Sequence, residues 1–228
     1  MSVRLKVFSI IPVSFVDCRN DACSVFFLSG CNMRCIYCQN YPHYLRGKEI
    51  SLKQIMDMLN KNWAVGMVKF TGGEPLLQAE NLIEVCRRLK EQGYEFAIDT
   101  NGTKPNAVEE LCKIGMREAA VDLKAPEHKY REITGINAYN EVLRTIRTLI
   151  DYNVDFEVRT TVVEPLITVH DLEEIAVILN KTGAKLWYIQ VYRPVAHAKG
   201  LRRPDIIRLR GVINRLREEY SLDIRLRV

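Results

Sequence analysis

The stretch Cys31-Asn32-Met33-Arg34-Cys35-Ile36-Tyr37-Cys38 places three cysteines in one short loop with the spacing C-x3-C-x2-C. It follows the apolar run 25–28 and the turn-former Gly30. Thiolates are the soft ligands that zinc and iron–sulfur clusters prefer, and a closed site normally has four protein ligands. The triplet therefore predicts one of two sites. One is a zinc or fully ligated cluster site completed by a fourth residue, with Cys23 or Cys18 nearest, and the other is a [4Fe–4S] cluster with one open iron.

A second motif, Thr71-Gly72-Gly73-Glu74-Pro75, directly follows the apolar run 67–70. Two glycines leave the backbone carbonyls open to a ligand because no side chain blocks the approach. The carboxylate that follows them can accept charge-assisted hydrogen bonds from a cationic group.

The two motifs, in this order, resemble the signatures of the radical S-adenosylmethionine (radical SAM) superfamily. The resemblance implies that Cys31, Cys35 and Cys38 hold a [4Fe–4S] cluster whose open iron chelates the amino and carboxylate groups of SAM. It also implies that Tyr37 lies beside the adenine and that the segment Thr71-Gly72-Gly73-Glu74 hydrogen-bonds the SAM ammonium group.

Composition predicts a single domain over residues 1–228, because 228 residues with 47% hydrophobic content can form one sizeable core and no low-complexity linker divides them. The N-terminal stretch 1–10 alternates between apolar and polar residues and carries charges, which predicts a strand and not a signal peptide. No apolar run approaches the roughly 18 residues of a membrane span. Seven cysteines, three of them in one loop, argue against a disulfide framework and for a reducing, cytoplasmic location without a membrane. Cys86 and Cys112 are expected in the core.

Charge is concentrated at the C-terminus. From Lys199 onward there are nine Lys or Arg and four Asp or Glu, which accounts for the whole net charge of +5. The simplest interpretation is the solvated face of a terminal helix. The functional interpretation is a surface for an acidic partner or for RNA.

The periodicity predicts an α/β fold. Nearly continuous apolar runs, typical of parallel strands buried on both faces, occur at 25–28, 67–70, 96–98, 119–123, 158–163 and 186–192. Helical spacing predicts one helix that begins after Ser51, a second that ends near Gln92 and a third that begins at Pro105. Three further helices are predicted at 138–152, 170–181 and 204–219. These make six β/α units, for which the family resemblance implies a partial, open (β/α)6 barrel of the radical SAM type.

Each of the six predicted strands ends in polar residues. These are the cysteine loop, the segment 71–74, Asp99-Thr100-Asn101, Asp122-Leu123-Lys124, Arg159-Thr160-Thr161, and Gln190 with Tyr192 and Arg193. Chemistry in parallel β/α barrels gathers at the C-terminal ends of the strands. The joint placement therefore predicts an active site at this end, although each segment alone could be an ordinary turn or ion pair.

Within the superfamily, the chain is most similar to glycyl-radical-enzyme activating proteins from about Phe8 to Arg193. The similarity rests on the segments 26–31, Gln39-Asn40, 99–102, 121–124 and 159–163. It implies that Asp99, Thr100 and Asp122 lie near the SAM carboxylate, where a monovalent cation can bind, and that Lys124 and Arg159 contact that carboxylate. Asn40, Asn101 and Tyr192 complete the cofactor-binding residues that we predict.

The resemblance also implies a mechanism. A flavodoxin or ferredoxin reduces the cluster, and SAM is cleaved to methionine and a 5′-deoxyadenosyl radical. The radical takes a hydrogen atom from a glycine of a partner glycyl-radical enzyme under anaerobic conditions. The cofactor carries this chemistry, so no side-chain acid or base is expected to be catalytic. The histidines accordingly have no predicted role and are expected at the surface or at helix ends. Only for His197, which follows the sixth strand, is a role left open.

Two departures narrow the subgroup. Gln39-Asn40 replaces the His-Asn that commonly follows the third cysteine, and Tyr192-Arg193 stands where pyruvate formate-lyase activators have a histidine. The pattern is most similar to activators of anaerobic ribonucleoside-triphosphate reductase. Three alternatives stay open: a small-molecule enzyme such as a 7-carboxy-7-deazaguanine synthase, an RNA-modifying enzyme, and a non-catalytic electron carrier with a fourth cysteine ligand.

Overall fold

The computed structural model describes residues 3–19 and 21–228. The first half contains the strands β1 (Arg4–Ser14), β2 (Cys23–Leu28), β3 (Lys48–Ser51), β4 (Met67–Gly72), β5 (Glu95–Thr100) and β6 (Glu118–Asp122), with the helices α1 (Leu52–Asn60), α2 (Ala79–Glu91) and α3 (Pro105–Ile114). The second half contains β7 (Asp155–Val162), β8 (Leu186–Val191) and β9 (Asp223–Arg227), with α4 (Glu127–Thr134), α5 (Tyr139–Asp151), α6 (Val169–Thr182) and α7 (Ile206–Glu219). Met1, Ser2 and Asn20, which the predicted N-terminal strand and single domain include, lie outside the described residues.

The strands form one sheet in the order β3-β1-β2-β4-β5-β6-β7-β8-β9. Strands β2 and β4 to β9 run parallel to one another, whereas β1 is antiparallel to both β2 and β3. Since β3 and β9 lie at opposite ends of the order, the sheet is open. The predicted α/β fold with a partial barrel is therefore confirmed. The terminal strand β9 extends the parallel strands to seven, and the predicted N-terminal strand, β1, pairs with β3 at the other edge.

Local sequence explains where the helices begin and end. Ser51 caps α1 through a reciprocal capping box with Gln54. Pro105 occupies the first turn of α3, and Gly115 ends that helix with a φ of +94°, which glycine adopts without strain. Helix α4 was not predicted, because its mostly charged sequence carries buried apolar side chains only at Tyr130 and Ile133.

The helices bury one face of the sheet in the main hydrophobic core. Trp187 on β8 is fully buried there, and its indole N–H donates to the hydroxyl of Thr160 at 3.0 Å. The opposite face holds a smaller cluster made by Cys18, Cys23, Val25, Met67 and Ala97. In the described part of the chain, no helix is both long and apolar enough to cross a membrane.

Candidate active site

The three loop cysteines follow β2 and face a common cavity of about 360 Å³ at the C-terminal ends of the strands. A turn closed by the Cys38 N–H and the Cys35 carbonyl at 3.1 Å shapes the loop. The backbone N–H of Arg34 donates to the carbonyl of Thr134 at 2.8 Å, so the end of α4 braces the loop from outside. Burial raises the pKa of the Cys31 thiol and raises that of Cys35 to about 11.

Amide side chains fix the first cysteine from the β5 side. The Asn101 side-chain N–H donates to Asn32 Oδ1 at 2.9 Å and lies 4.0 Å from Cys31 Sγ. Asn32 in turn donates to the hydroxyl of Thr103 at 2.8 Å. Asn101 was predicted from the sequence, whereas Asn32 and Thr103, which lie next to predicted residues in sequence, were not.

The double glycine after β4 is required by the close approach of two backbones. A Cβ on Gly73 would lie 1.8 Å from the carbonyl oxygen of Gly30, and one on Gly72 would lie 2.5 Å from the backbone N and O of Leu28. Glu74 N–H donates to the same Gly30 carbonyl at 2.7 Å. Asn40 binds from the other side, donating to the Gly72 carbonyl at 2.6 Å. These contacts join the two predicted motifs into one unit.

The carboxylate of Glu74 is fully buried and lies outside the cavity lining. It accepts hydrogen bonds from Leu76 N–H at 3.0 Å, the Thr100 hydroxyl at 2.8 Å and Asn101 N–H at 2.7 Å. Burial raises the pKa of Glu74 to about 7, and these hydrogen bonds oppose the rise. Its side chain therefore joins the segment after β4 to the end of β5. A contact with an ammonium group would have to come from the backbone of the motif.

Asp122 and Lys124 lie on the cavity wall after β6 and form an ion pair of 2.8 Å. Burial works against the charge of Lys124, but Asp122 and the nearby Cys35 and Tyr37 outweigh it, so the pKa of Lys124 lies well above its usual value. Lys124 therefore stays positively charged at the wall of the cavity, with Asp122 as its partner.

A second ionic cluster lies on the same face of the sheet but does not line the cavity. Asp99 accepts from Lys69 Nζ at 3.1 Å and from Arg159 at 2.9 Å, and Arg159 also binds Glu157 at 2.5 Å. Burial would raise the pKa of Asp99, yet Arg159 and Lys69 hold it below its usual value. Arg159 is thereby committed to two carboxylates, so the predicted contact with a SAM carboxylate would require these pairs to rearrange.

The structure brings most, but not all, of the predicted residues to the cavity. Those that line it are Cys31, Cys35, Cys38, Tyr37, Asn40, Gly72, Gly73, Asn101, Asp122, Lys124 and Tyr192. Those that do not are Thr71, Glu74, Asp99, Thr100 and Arg159. The far wall is made by Thr161, Gln190, Arg193, Arg227 and Val228. Arg227 and Val228 were missed because no signal in the terminal segment marks β9 as a neighbour of the cavity.

Two aromatic side chains complete the lining. Tyr37 is 5% exposed, and within the described chain its hydroxyl has no hydrogen-bond partner. Tyr192 is also buried, and its hydroxyl accepts from Val195 N–H at 3.1 Å. The four histidines are exposed, as expected, and His197 makes a ring contact with Tyr41 at 5.0 Å between centroids.

A fourth cysteine ligand is absent from the cavity. Cys23 lies at the start of β2, roughly 17 Å along the strand from its end, and its thiol is hydrogen-bonded to that of Cys18 in the small apolar cluster. Across residues 3–19 and 21–228, no three His, Cys, Asp or Glu side chains converge as a single metal ion requires. The three thiols around a shared cavity fit the three cysteine ligands that a [4Fe–4S] cluster with an open iron would need.

Comparison with known proteins identifies the family of the chain. The model of the radical SAM superfamily matches residues 25–180. A protein of Methanocaldococcus jannaschii, provisionally named a glycyl-radical enzyme activating enzyme, is 35% identical over 199 residues, covering 84% of this chain and 82% of that protein. The 7-carboxy-7-deazaguanine synthase of Koribacter versatilis is 30% identical over 138 residues, 57% of this chain and 58% of that enzyme.

Among solved structures, Streptococcus suis SuiB bound to precursor peptide SuiA shares the fold, with a TM-score of 0.71 at 17% identity. The match covers 90% of this chain and 48% of the SuiB chain, so this chain corresponds to about half of that protein. The fold, the cysteine loop and the family match over most of the sequence lead to one conclusion. The chain belongs to the radical SAM superfamily and is an enzyme of the radical SAM type.

Proposed function

We propose that this enzyme reductively cleaves SAM and uses the resulting radical to install a glycyl radical on a partner enzyme of the anaerobic ribonucleotide reductase type. The observation that carries the proposal is the cavity itself. It combines three cysteine thiols, without a fourth, with the ion pair of Asp122 and Lys124 and the glycine backbone of the second motif.

The residues present fit the cofactors of the family. Cys31, Cys35 and Cys38 would hold three irons of a [4Fe–4S] cluster. When bound, the cluster and SAM supply a one-electron cleavage of the sulfur–C5′ bond that gives methionine and a 5′-deoxyadenosyl radical. Oxygen oxidises cysteine thiolates, so a site built on three of them requires a reducing, oxygen-poor compartment such as an anaerobic cytoplasm.

The polar lining would bind SAM from several sides. Lys124 supplies positive charge for the SAM carboxylate, and Asp122 is the carboxylate that a monovalent cation beside it would contact. The Gly72 carbonyl, held in place by Asn40, accepts from the SAM ammonium group. Tyr37 packs against the adenine. Asp99 has two cationic side chains as partners, so it acts by holding the sheet beneath the site.

Positioning and exclusion of water are the remaining tasks of the protein. Tyr192 and the buried ends of β4 and β5 close the cavity from below. No side chain in it needs to act as a general acid or base, because the hydrogen atom is transferred as a radical.

Two observations support a glycine of a protein as the target. The Methanocaldococcus relative, which this chain covers over 82% of its length, carries an activating-enzyme name. The sheet is also open between its edge strands β3 and β9, which leaves a lateral entry for an extended loop.

The proposal is tested with anaerobically reconstituted protein, dithionite and SAM. The wild type should release 5′-deoxyadenosine and methionine slowly without a partner. Lys124→Met should weaken SAM binding strongly, whereas the matched variant Lys104→Met, at an exposed position, should not. If SAM neither perturbs the EPR spectrum of the reduced cluster nor is cleaved, the open-iron site is wrong.

The target is tested with a peptide that matches the glycine loop of a glycyl-radical enzyme from the same genome. The peptide should acquire a glycyl radical, visible as an EPR doublet, and deuterium on its glycine Cα should appear in 5′-deoxyadenosine. Transfer of deuterium from a pterin-like small molecule or from RNA, with none from the peptide, would favour the alternative of a 7-carboxy-7-deazaguanine synthase-like or RNA-modifying enzyme.

A further inference from the structure

The segment that carries the cysteine loop has an unusual charge balance. Between Asp21 and Glu49 the chain contains no aspartate or glutamate, yet it carries Arg34, Arg46 and Lys48. All three basic residues are exposed. Glu49, the first acid after the segment, is paired with Arg4 at 3.2 Å, so its charge is offset. The outer surface of the loop is therefore positive.

Exposed apolar side chains gather at the same place. Tyr41 and Leu45, in the turn after the third cysteine, are 43% and 59% exposed. Leu77 is 42% exposed, although it belongs to the other motif. Scattered apolar side chains are normal on a protein surface, but a group of them with a polar rim marks an interaction site.

Backbone contacts hold these side chains against the entrance of the cysteine loop. Gly30 N–H donates to the carbonyl of Tyr44 at 2.8 Å, which seats the turn containing Tyr41 and Leu45 directly before Cys31. A Cβ on Gly30 would lie 3.5 Å from Leu77 Cδ1. We call the surface formed by Tyr41, Leu45 and Leu77, with Arg46 and Lys48 at its rim, the cluster-loop face.

We propose that the cluster-loop face is the docking site of an acidic, low-potential electron-carrier protein. This inference rests on the proposed function, because it assumes a cluster bound to the three cysteines. An apolar centre with a charged rim is the usual anatomy of a transient protein interface, and the basic rim selects an acidic partner. The face lies on the outside of the cysteine loop, whereas the substrate reaches the cavity on its inside.

The electron balance needs no further reactant. The carrier, a reduced flavin or iron–sulfur protein, gives up one electron and is oxidised by one electron, and the cluster is reduced by the same electron. Electrostatic steering of this kind raises association rates by ~10- to 1,000-fold and falls with ionic strength.

The test uses the reconstituted full chain and reduced flavodoxin as the probe. The double variant Arg46→Glu/Lys48→Glu should weaken flavodoxin binding, measured by interferometry, by about tenfold or more, and should slow cluster reduction, measured by stopped-flow absorbance, to a similar extent. Reduction by dithionite, a small ion that needs no docking, should be unchanged. Leu45→Ser should weaken binding without changing its salt dependence.

The matched control is Arg147→Glu/Lys185→Glu. It reverses two exposed charges on α5 and in the loop before β8, away from the C-terminal ends of the strands. The control should bind flavodoxin and be reduced as the wild type is. Normal flavodoxin binding and reduction in Arg46→Glu/Lys48→Glu would overturn the proposal. Normal reduction with lost radical transfer would assign the face to the glycyl-radical partner instead. Failure of dithionite-driven SAM cleavage in the wild type would count against the proposed function, while the binding measurement still tests the docking site.

Discussion

The hydroxyl of Thr100 donates a hydrogen bond of 2.8 Å to the carboxylate of Glu74, linking the end of β5 to the segment after β4. Both residues are buried, and the second carboxylate oxygen accepts from the N–H of Asn101 at 2.7 Å. The acidic residue of the Gly-Gly-Glu motif therefore holds two strand ends together. Because the Asn101 side chain also lies 4.0 Å from Cys31 Sγ, this link positions the residue that supports the cysteine loop.

Removal of the Thr100 hydroxyl should destabilise the protein. Thr100→Val deprives a buried carboxylate of one donor, which costs about 1–3 kcal/mol of unfolding free energy. Thr161→Val is the control, since its hydroxyl makes only a 3.5 Å contact with Gln190. Urea unfolding of both variants measures the difference. Equal stability of the two would mean that the Glu74 carboxylate finds another donor.

The raised pKa of Glu74 predicts a pH dependence. Its folded pKa of about 7 lies above the ordinary value of 4.5, so between these pH values the folded state binds more protons at Glu74 than the unfolded chain does. The corresponding stability is fully present below pH 4.5 and is lost as the pH rises through 7, by about 3 kcal/mol in all. Glu74→Gln cannot titrate here. The wild type should therefore lose stability relative to Glu74→Gln from pH 5 to pH 8 in urea unfolding. A difference that stays constant, or that grows with pH in favour of the wild type, would show that the hydrogen bonds keep Glu74 ionised.

The ionic cluster beneath the cavity predicts a stability effect. Arg159→Met leaves Glu157 without its closest cation and Asp99 with Lys69 alone, and removal of one partner of a buried pair costs about 3–5 kcal/mol. Arg215→Met is the matched control, because Arg215 is half exposed and pairs with Glu173 at the surface. It should cost less than about 1 kcal/mol. Thermal and urea unfolding compare the two.

A direct role of Arg159 in binding SAM would give a different result. SAM affinity would then fall in Arg159→Met even under conditions in which the variant is fully folded. A positioning role predicts that SAM binding recovers once stability is restored by low temperature or by stabilising salts.

The residues that meet in these contacts show where inference from sequence ends. Each of the six parallel strands read from apolar runs could be predicted with its polar end, because buried parallel strands are nearly continuous in apolar residues and polar residues stand out against them. The pairing of Asp99 with Lys69 and Arg159 could not, since these side chains come from β5, β4 and β7 and meet only through the order of the sheet. A charged residue at a strand end therefore predicts the active end of the barrel, but not whether its side chain faces the cavity or a neighbouring strand.

Short elements were missed for a related reason. Strand β3 has one buried apolar residue, Ile50, and the pairing of its backbone with β1 holds it in place. Helix α4 has little apolar periodicity of its own, and it packs through Tyr130 and Ile133. Yet the end of α4 binds Arg34 in the cysteine loop, so an element with a weak sequence signal supports the most recognisable motif of the chain.

Replacing a loop cysteine should remove the iron, whereas replacing a core cysteine should not. Anaerobically reconstituted wild type should hold about four iron and four sulfide per chain, and Cys31→Ala, Cys35→Ala and Cys38→Ala should each abolish the cluster, because only these thiols line the cavity. Cys86→Ala and Cys112→Ala should retain it, since both side chains are buried in helices of the main core.

The decisive control is Cys23→Ala. A fully ligated cluster with Cys23 as its fourth ligand would lose iron or change its EPR spectrum in this variant. The structure places Cys23 at the opposite end of β2, hydrogen-bonded to Cys18 among apolar side chains, so we expect full iron content, an unchanged spectrum and unchanged SAM cleavage. Stability should fall by about 1 kcal/mol, because a buried thiol is lost from a small apolar cluster. Loss of iron in Cys23→Ala, or tight stoichiometric zinc without iron in the wild type, would contradict the three-cysteine site and with it the open iron on which SAM chemistry depends.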